Sequence, residues 1–193
     1  MTHHLAILQV VLPLIAAPIC SLINHSKACW LFATTVAWLV FAMSLSLFLE
    51  VQTGGSIRYE IGGWQPPWGI EYHIDALAAF VLLLVSAMAA ITLSAFQRSI
   101  AIEIPKHKQG LFYTAFLLCL TGLLGIVATA DAFNIFVFLE ISSLSAYALI
   151  ALGRDRRALT ASFEYLIMGT IGATFILIGI GLLYMQTGTL NIA

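Results

Sequence analysis

The sequence predicts an all-α polytopic membrane protein: six transmembrane helices, with a short external β-hairpin-like loop between the second and third. Three observations carry this reading. Hydrophobic residues make up 61% of the 193 and charged residues only 9%, against about 25% charged in soluble domains. Apolar runs recur at the roughly 20 residues that cross about 30 Å of hydrocarbon. Basic residues gather in alternate loops. A soluble fold of this size could not cover its surface with so few charges. Backbone groups in lipid must be satisfied internally, so the runs are helices and not strands.

The elements follow in order as a single membrane domain. The first run, 5–23, is preceded by "MTHH", which lacks the basic residues of a signal peptide, so it is expected to remain as a span. The second covers 28–49. Between it and the third lies the one long loop, Glu50 to Asp75, in which "SIRYEI" and "IEYHID" flank "GGWQPPWG". Short β-prone stretches around a Gly- and Pro-rich turn predict a hairpin. Trp64 and Trp68 suit the membrane–water boundary. The loop is expected to cap one end of the bundle, with docking to a partner as the alternative. The remaining spans are 76–96, 110–130, 132–152 and 161–185. The last is rich in small residues, and Gly169 and Ala173, four apart, predict close approach to another helix.

Charge orients the bundle. Lys27, Arg98, Lys106, Lys108, Arg154, Arg156 and Arg157 fall in the loops after odd-numbered spans, and Arg58 alone falls on the other side. The positive-inside rule then places those loops in the cytoplasm and both termini on the external, periplasmic side of a cell (inner) membrane.

Several function classes drop out. A net charge of −1 makes no electrostatic case for nucleic acid. Cys20, Cys29 and Cys119 form no CxxC, so neither a disulfide framework nor a zinc site is signalled. His3, His4, His25, His73 and His107 are terminal or in loops, so no facing pair could ligate a haem within the membrane. Phosphate-loop and dinucleotide fingerprints are missing. No metal, cofactor or redox centre is expected in the chain.

What remains is one carboxylate. In "FNIFVFLEISSLSAYALIAL", residues 133–152, Glu140 is the only acidic or basic residue, and it lies near the middle. An ionised group at that depth costs about 2.5–3.5 kcal/mol on insertion scales, so such residues face protein or water, or take up a proton. A carboxyl that is near neutral yet able to ionise beside a cation is a proton carrier. A protonated glutamate hydrogen-bonded to a neighbouring helix is the structural alternative. Ser143 at i+3 and Tyr147 at i+7 share its side of the helix, as relay groups or as ordinary interhelical hydrogen-bond formers. Glu164, about one turn into the sixth run and just after Arg154, Arg156 and Arg157, is either a helix-start carboxylate or a point of proton uptake. Asp131 suits a helix cap. No lysine lies within a span, so a positive partner for Glu140 would have to come from elsewhere. A stand-alone transporter is disfavoured, because only one charged residue sits at mid-depth.

"ADAFNIFVFLEISSLSAYALIAL" and "FEYLIMGTIGATFILIGIGLLYMQTGTLNIA" resemble the proton-channel subunits shared by respiratory NADH–quinone oxidoreductase, membrane-bound hydrogenases and multisubunit cation/proton (Mrp) antiporters. The loop "IGGWQPPWGIEYHIDALAA" looks closest to the antiporters' D-type subunit. The resemblance implies that Glu140 is the essential fifth-helix glutamate. It also implies that the chain covers the first six of about fourteen family helices, a statement by analogy. The family's lysine on a broken seventh helix has no counterpart here, and many relatives carry a basic residue where Glu164 stands. The function so implied is a proton-translocating membrane subunit, or its N-terminal part, in a cation/proton antiporter or redox-driven complex. Its partners would be other membrane subunits, one of them supplying the missing helices or lysine, together with the lipid bilayer. A non-conducting structural or assembly subunit is the alternative.

Overall fold

Each apolar run is a helix in the structure, a computed structural model that describes residues 4–23, 25–64 and 69–192. The chain runs through α1 (Leu5–Leu22), α2 (Ser26–Gly54), β1 (Ile57–Glu60), β2 (Glu71–Ile74), α3 (Ala76–Ala95), α4 (Gln97–Glu103), α5 (Gln109–Ala128), α6 (Ala132–Ala151) and α7 (Arg156–Thr187). Six of these helices are long and apolar enough to cross a membrane. The short α4, which hydropathy does not reveal, lies in a basic loop between spans.

Two helices outrun the apolar stretches that announced them. α2 has 29 residues and α7 has 32. At 1.5 Å per residue these are about 44 and 48 Å long, against a hydrocarbon thickness of about 30 Å. Hydropathy marks the part of a helix that lipid touches, whereas backbone hydrogen bonding continues into the interface. One consequence is a correction. Because α7 starts at Arg156, its cap is Asp155, whose carboxylate accepts from Arg157 N at 3.0 Å. Glu164 is therefore more than two turns in, and the helix-start role expected of it belongs to Asp155.

The predicted hairpin is present. β1 and β2 pair antiparallel, with Ile57 opposite Ile74 and Glu60 opposite Glu71. The turn residues Gln65, Pro66, Pro67 and Trp68, like His3, lie outside the described residues. β2 is further tied to the bundle. Ala130 N donates to Glu71 O at 2.9 Å, and Tyr72 bridges Thr129. The strand thus lies across the α5–α6 turn, as a cap would. Asp131 does cap α6, accepting from Asn134 N at 2.7 Å. Beyond α7 the chain folds back to the same corner, where Ile192 N donates to Ala130 O.

α5 is the hub, packing against α1, α2, α3 and α6. Its buried side chains include Tyr113, Leu117, Leu120 and Leu124. Lipid is as apolar as leucine, so close packing and interhelical hydrogen bonds hold such a bundle together. Both devices are visible. Gln9 of α1 donates to the Ser44 hydroxyl of α2 at 2.8 Å, with both residues buried. At the α5–α6 contact, a Cβ on Gly122 would strike the backbone and Cβ of Ser142, and one on Gly125 would strike the Phe138 ring. The α1–α2 turn brings another correction: Cys20 and Cys29, unpaired by spacing, are joined as a disulfide with Cα atoms 5.6 Å apart. Spacing gave no hint because a tight turn between antiparallel helices makes them neighbours.

Candidate functional site

Glu140 is the ninth residue of α6, almost at the helix midpoint. It is half-buried and has no hydrogen-bond or ion-pair partner among the described residues. α6 presents three kinds of surface. Phe138, Ser142 and Ser145 are buried, and the first two lie under the α5 glycines. Ser142 and Ser145 donate back to Leu139 O and Ile141 O of their own helix, so neither hydroxyl proton is offered to a relay. Leu144 and Ile150 are exposed.

The third surface carries Tyr147, seven residues and about 10 Å along the axis from Glu140. Tyr147 is buried beneath α7, its ring edge-on to Tyr165 with centroids 4.7 Å apart. Its hydroxyl occupies the space that a side chain at Gly169 would fill. The Ser162 hydroxyl of α7 donates to Tyr147 O at 2.8 Å. The small-residue pattern in the last span thus has a concrete partner, and Ala173, one turn on, is buried as well. Ser143 lies between Glu140 and Tyr147 along the helix, half-buried and without a hydrogen bond among the described residues.

Glu164 stands apart. It neighbours Tyr165 in α7 but is exposed, and counted from the helix ends it lies about one turn nearer the basic end than Glu140. The structure therefore brings Glu140, Ser143 and Tyr147 onto one stretch of α6 and leaves Glu164 outside it. No lysine or arginine approaches from within the spans: the described basic residues sit at helix ends, in α4, in loops or in β1.

One acidic residue escaped the sequence reading. Glu71 is 4% exposed, the most buried carboxylate among the described residues. Arg58 Nε lies 3.8 Å from it and Asn191 Nδ2 donates to it at 3.2 Å. Next to it, burial pushes the Tyr72 phenol up to about 12, so Tyr72 stays neutral and adds no charge there. Glu71 looked like a loop residue because its burial comes from a strand laid over distant turns. Its role is to tie the hairpin to the post-α7 segment. Among the described residues, no group of three His, Cys, Asp or Glu is placed to hold a metal ion.

Residues 129–193 match the family described as NADH:quinone oxidoreductase/Mrp antiporter, TM. Over its whole length the chain is 44% identical to NADH-quinone oxidoreductase subunit N of Desulforudis audaxviator, of which it covers 39%. Among solved structures, a chain of an archaeal membrane-bound sulfane sulfur reductase superposes with a TM-score of 0.89 at 34% identity, covering 96% of this chain and 38% of that one. A chain of the Mrp complex from Dietzia superposes at 0.86 with 25% identity, covering 98% and 35%. The high identity to an oxidoreductase subunit means that the D-type likeness of the hairpin loop does not single out one kind of complex. The chain spans about two-fifths of the length of these relatives. Its residues 129–193 are thus similar to the NADH:quinone oxidoreductase/Mrp antiporter transmembrane family, and its whole length is similar to part of subunits from respiratory and antiporter complexes.

Proposed function

We propose that this chain is a proton-translocating membrane subunit, or the N-terminal part of one, and that Glu140 takes up and releases the proton. The observation that carries the reading is Glu140 itself: a mid-span carboxyl, half-buried and without a partner among the described residues. A structural acid would spend its hydrogen-bonding capacity on a neighbouring helix, as Gln9 does on Ser44. A carrier has to alternate between a neutral form that tolerates lipid-like surroundings and an anion that needs a nearby cation or water. Ser143 and Tyr147 are accessory groups on the same stretch, able to hold water or pass a proton along α6. Glu164, exposed on α7, is the candidate for uptake from the basic side.

The cation that sets Glu140's ionisation comes from outside this segment, from further helices or another membrane subunit. Proton movement is therefore a property of the assembly. Both termini are external and the basic loops cytoplasmic. Cysteines placed at Ser99 and Gln52, both exposed, should label with an impermeant thiol reagent from opposite faces, and labelling from one face would refute that orientation.

The decisive experiment compares Glu140→Gln with Glu140→Asp in the assembled complex, by proton uptake or antiport in membrane vesicles. Gln keeps size and hydrogen bonding but cannot titrate, whereas Asp titrates with a shorter reach. Gln should abolish translocation and Asp should retain part of it, with complex abundance on native gels unchanged. Normal transport by the Gln variant would remove Glu140 from the mechanism.

A further inference from the structure

We propose that the basic end of the bundle binds the phosphate of an anionic glycerophospholipid, in the cavity where the α1–α2 turn, α4 and the start of α5 meet. The cavity holds about 580 Å³, and Lys27, Arg98 and Lys106 line it. They come from three separate segments, the start of α2, α4 and the turn before α5. All three are exposed, and the only ion pair among the described residues is Arg58 with Glu71 at the opposite end. None of the described residues lining the cavity is acidic. Three cations share one concave space with nothing there to neutralise them.

A second observation points to a ligand. Tyr113 forms part of the wall and is 2% exposed, yet its hydroxyl has no hydrogen bond to the described residues. Its neighbour Gln109, 4% exposed, is satisfied at both ends: it accepts from the Ser26 hydroxyl and donates to Ile104 O at 3.0 Å. The Tyr113 ring is buried but its hydroxyl is not one of the enclosed unpartnered atoms, so it opens onto accessible space and has a proton to donate to a phosphate oxygen. Guanidinium and ammonium groups are the usual partners of such an oxygen. Basic pockets between spans at a membrane boundary suit anionic head groups.

Position selects a lipid over a free anion. The cavity lies at the ends of three spans, beside Trp30, whose indole donates to Leu93 O at 2.8 Å. An apolar groove of about 800 Å³ begins at Ser21 and Leu22, close in sequence to His25 of the cavity wall. It continues past Ile19, Pro18, Ile15 and Leu14 towards the middle of α1. A head group in the cavity would therefore have a place for an acyl chain at the same helix end.

The test is native mass spectrometry of the full chain, equilibrated in mixed micelles of phosphatidylglycerol and phosphatidylcholine. The wild type should retain phosphatidylglycerol preferentially. The triple variant Lys27→Gln, Arg98→Gln, Lys106→Gln should lose that preference by about a hundredfold, at roughly fivefold per cation. Tyr113→Phe, which keeps the ring and the packing, should weaken it by a smaller factor. A triple variant with Arg154, Arg156 and Arg157 changed to Gln carries the same loss of charge at the same end, and should bind as the wild type does. Equal losses in the two triple variants would mean a diffuse basic surface and overturn the site. So would equal retention of the two lipids by the wild type. Displacement of phosphatidylglycerol by inorganic phosphate would overturn the lipid assignment in favour of a soluble anion.

Discussion

α5 and α7 are both apolar spans of nearly equal hydropathy, yet about half of the α5 span is buried inside the protein and almost none of α7. α5 touches four other spans, whereas α7 packs chiefly against α6. Phe175, Ile178, Leu182 and Met185 of α7 are exposed along much of its length. The difference teaches where this segment is finished. From α1 to α5 it has an interior. At α6 and α7 it presents an open flank, and Glu140 lies in the helix between those two conditions. Relatives more than twice as long have further chain with which to cover such a flank.

The contrast can be broken most directly by paired truncations. Leu117 in α5 is fully buried and Leu177 in α7 is 41% exposed. Leu117→Ala should cost about 2–4 kcal/mol, because the cavity it leaves cannot refill, whereas Leu177→Ala should cost almost nothing in the isolated chain. Unfolding by titration with SDS in mixed micelles measures both. Equal costs would mean that α7 is as well packed as α5.

Glycines sharpen the same comparison. A side chain at Gly125 would collide with Phe138, while one at Gly172 meets nothing within 4 Å. Gly125→Val should therefore destabilise the chain by about 1–3 kcal/mol through overpacking, and Gly172→Val should leave it unchanged. In the complete assembly Gly172→Val becomes informative. If further helices cover α7, that variant should lower complex abundance on native gels without altering the isolated segment.

A smaller effect is expected at the helix start beside the hairpin cap. Asp131→Ala removes the carboxylate that accepts from Asn134 N and should cost about 1 kcal/mol, with hydrogen exchange faster in the first turn of α6. Smallest is Arg58→Gln. Its guanidinium is 63% exposed and 3.8 Å from Glu71, so loss of the pair should cost at most about 1 kcal/mol in the same SDS titration and less at high salt. A larger loss would show that Glu71 depends on Arg58 rather than on Asn191 and the strand that buries it.

Much of the fold was legible before any coordinates, and the reason is the solvent. Lipid demands long apolar runs with internally paired backbones, which is why every span and the hairpin stand out in one dimension. Glu140 was legible for the same reason: a lone carboxylate at mid-span has no soluble-core excuse. Asp131 was readable because capping is local. Residues whose meaning depends on what folds next to them were not. Glu71 is buried only because β2 lies over the α5–α6 turn, and Cys20 meets Cys29 only because the α1–α2 turn is tight. Lys27, Arg98 and Lys106 read along the chain as an orientation signal and became a shared cavity once α2, α4 and α5 met.

The sequence by itself determined the solvent, the number of spans, the alternation of charge across them and the one acid at mid-depth, since each follows from composition within a window of about 20 residues. Only the tertiary structure decided that Tyr147 lies beneath Gly169 while Glu164 faces outward, that α5 is the hub, and that α7 keeps an open side. Hydropathy is nearly the same on all sides of a helix in lipid, so it cannot say which side meets protein. Close packing of small residues against particular neighbours decides that, and it exists only once the helices are together.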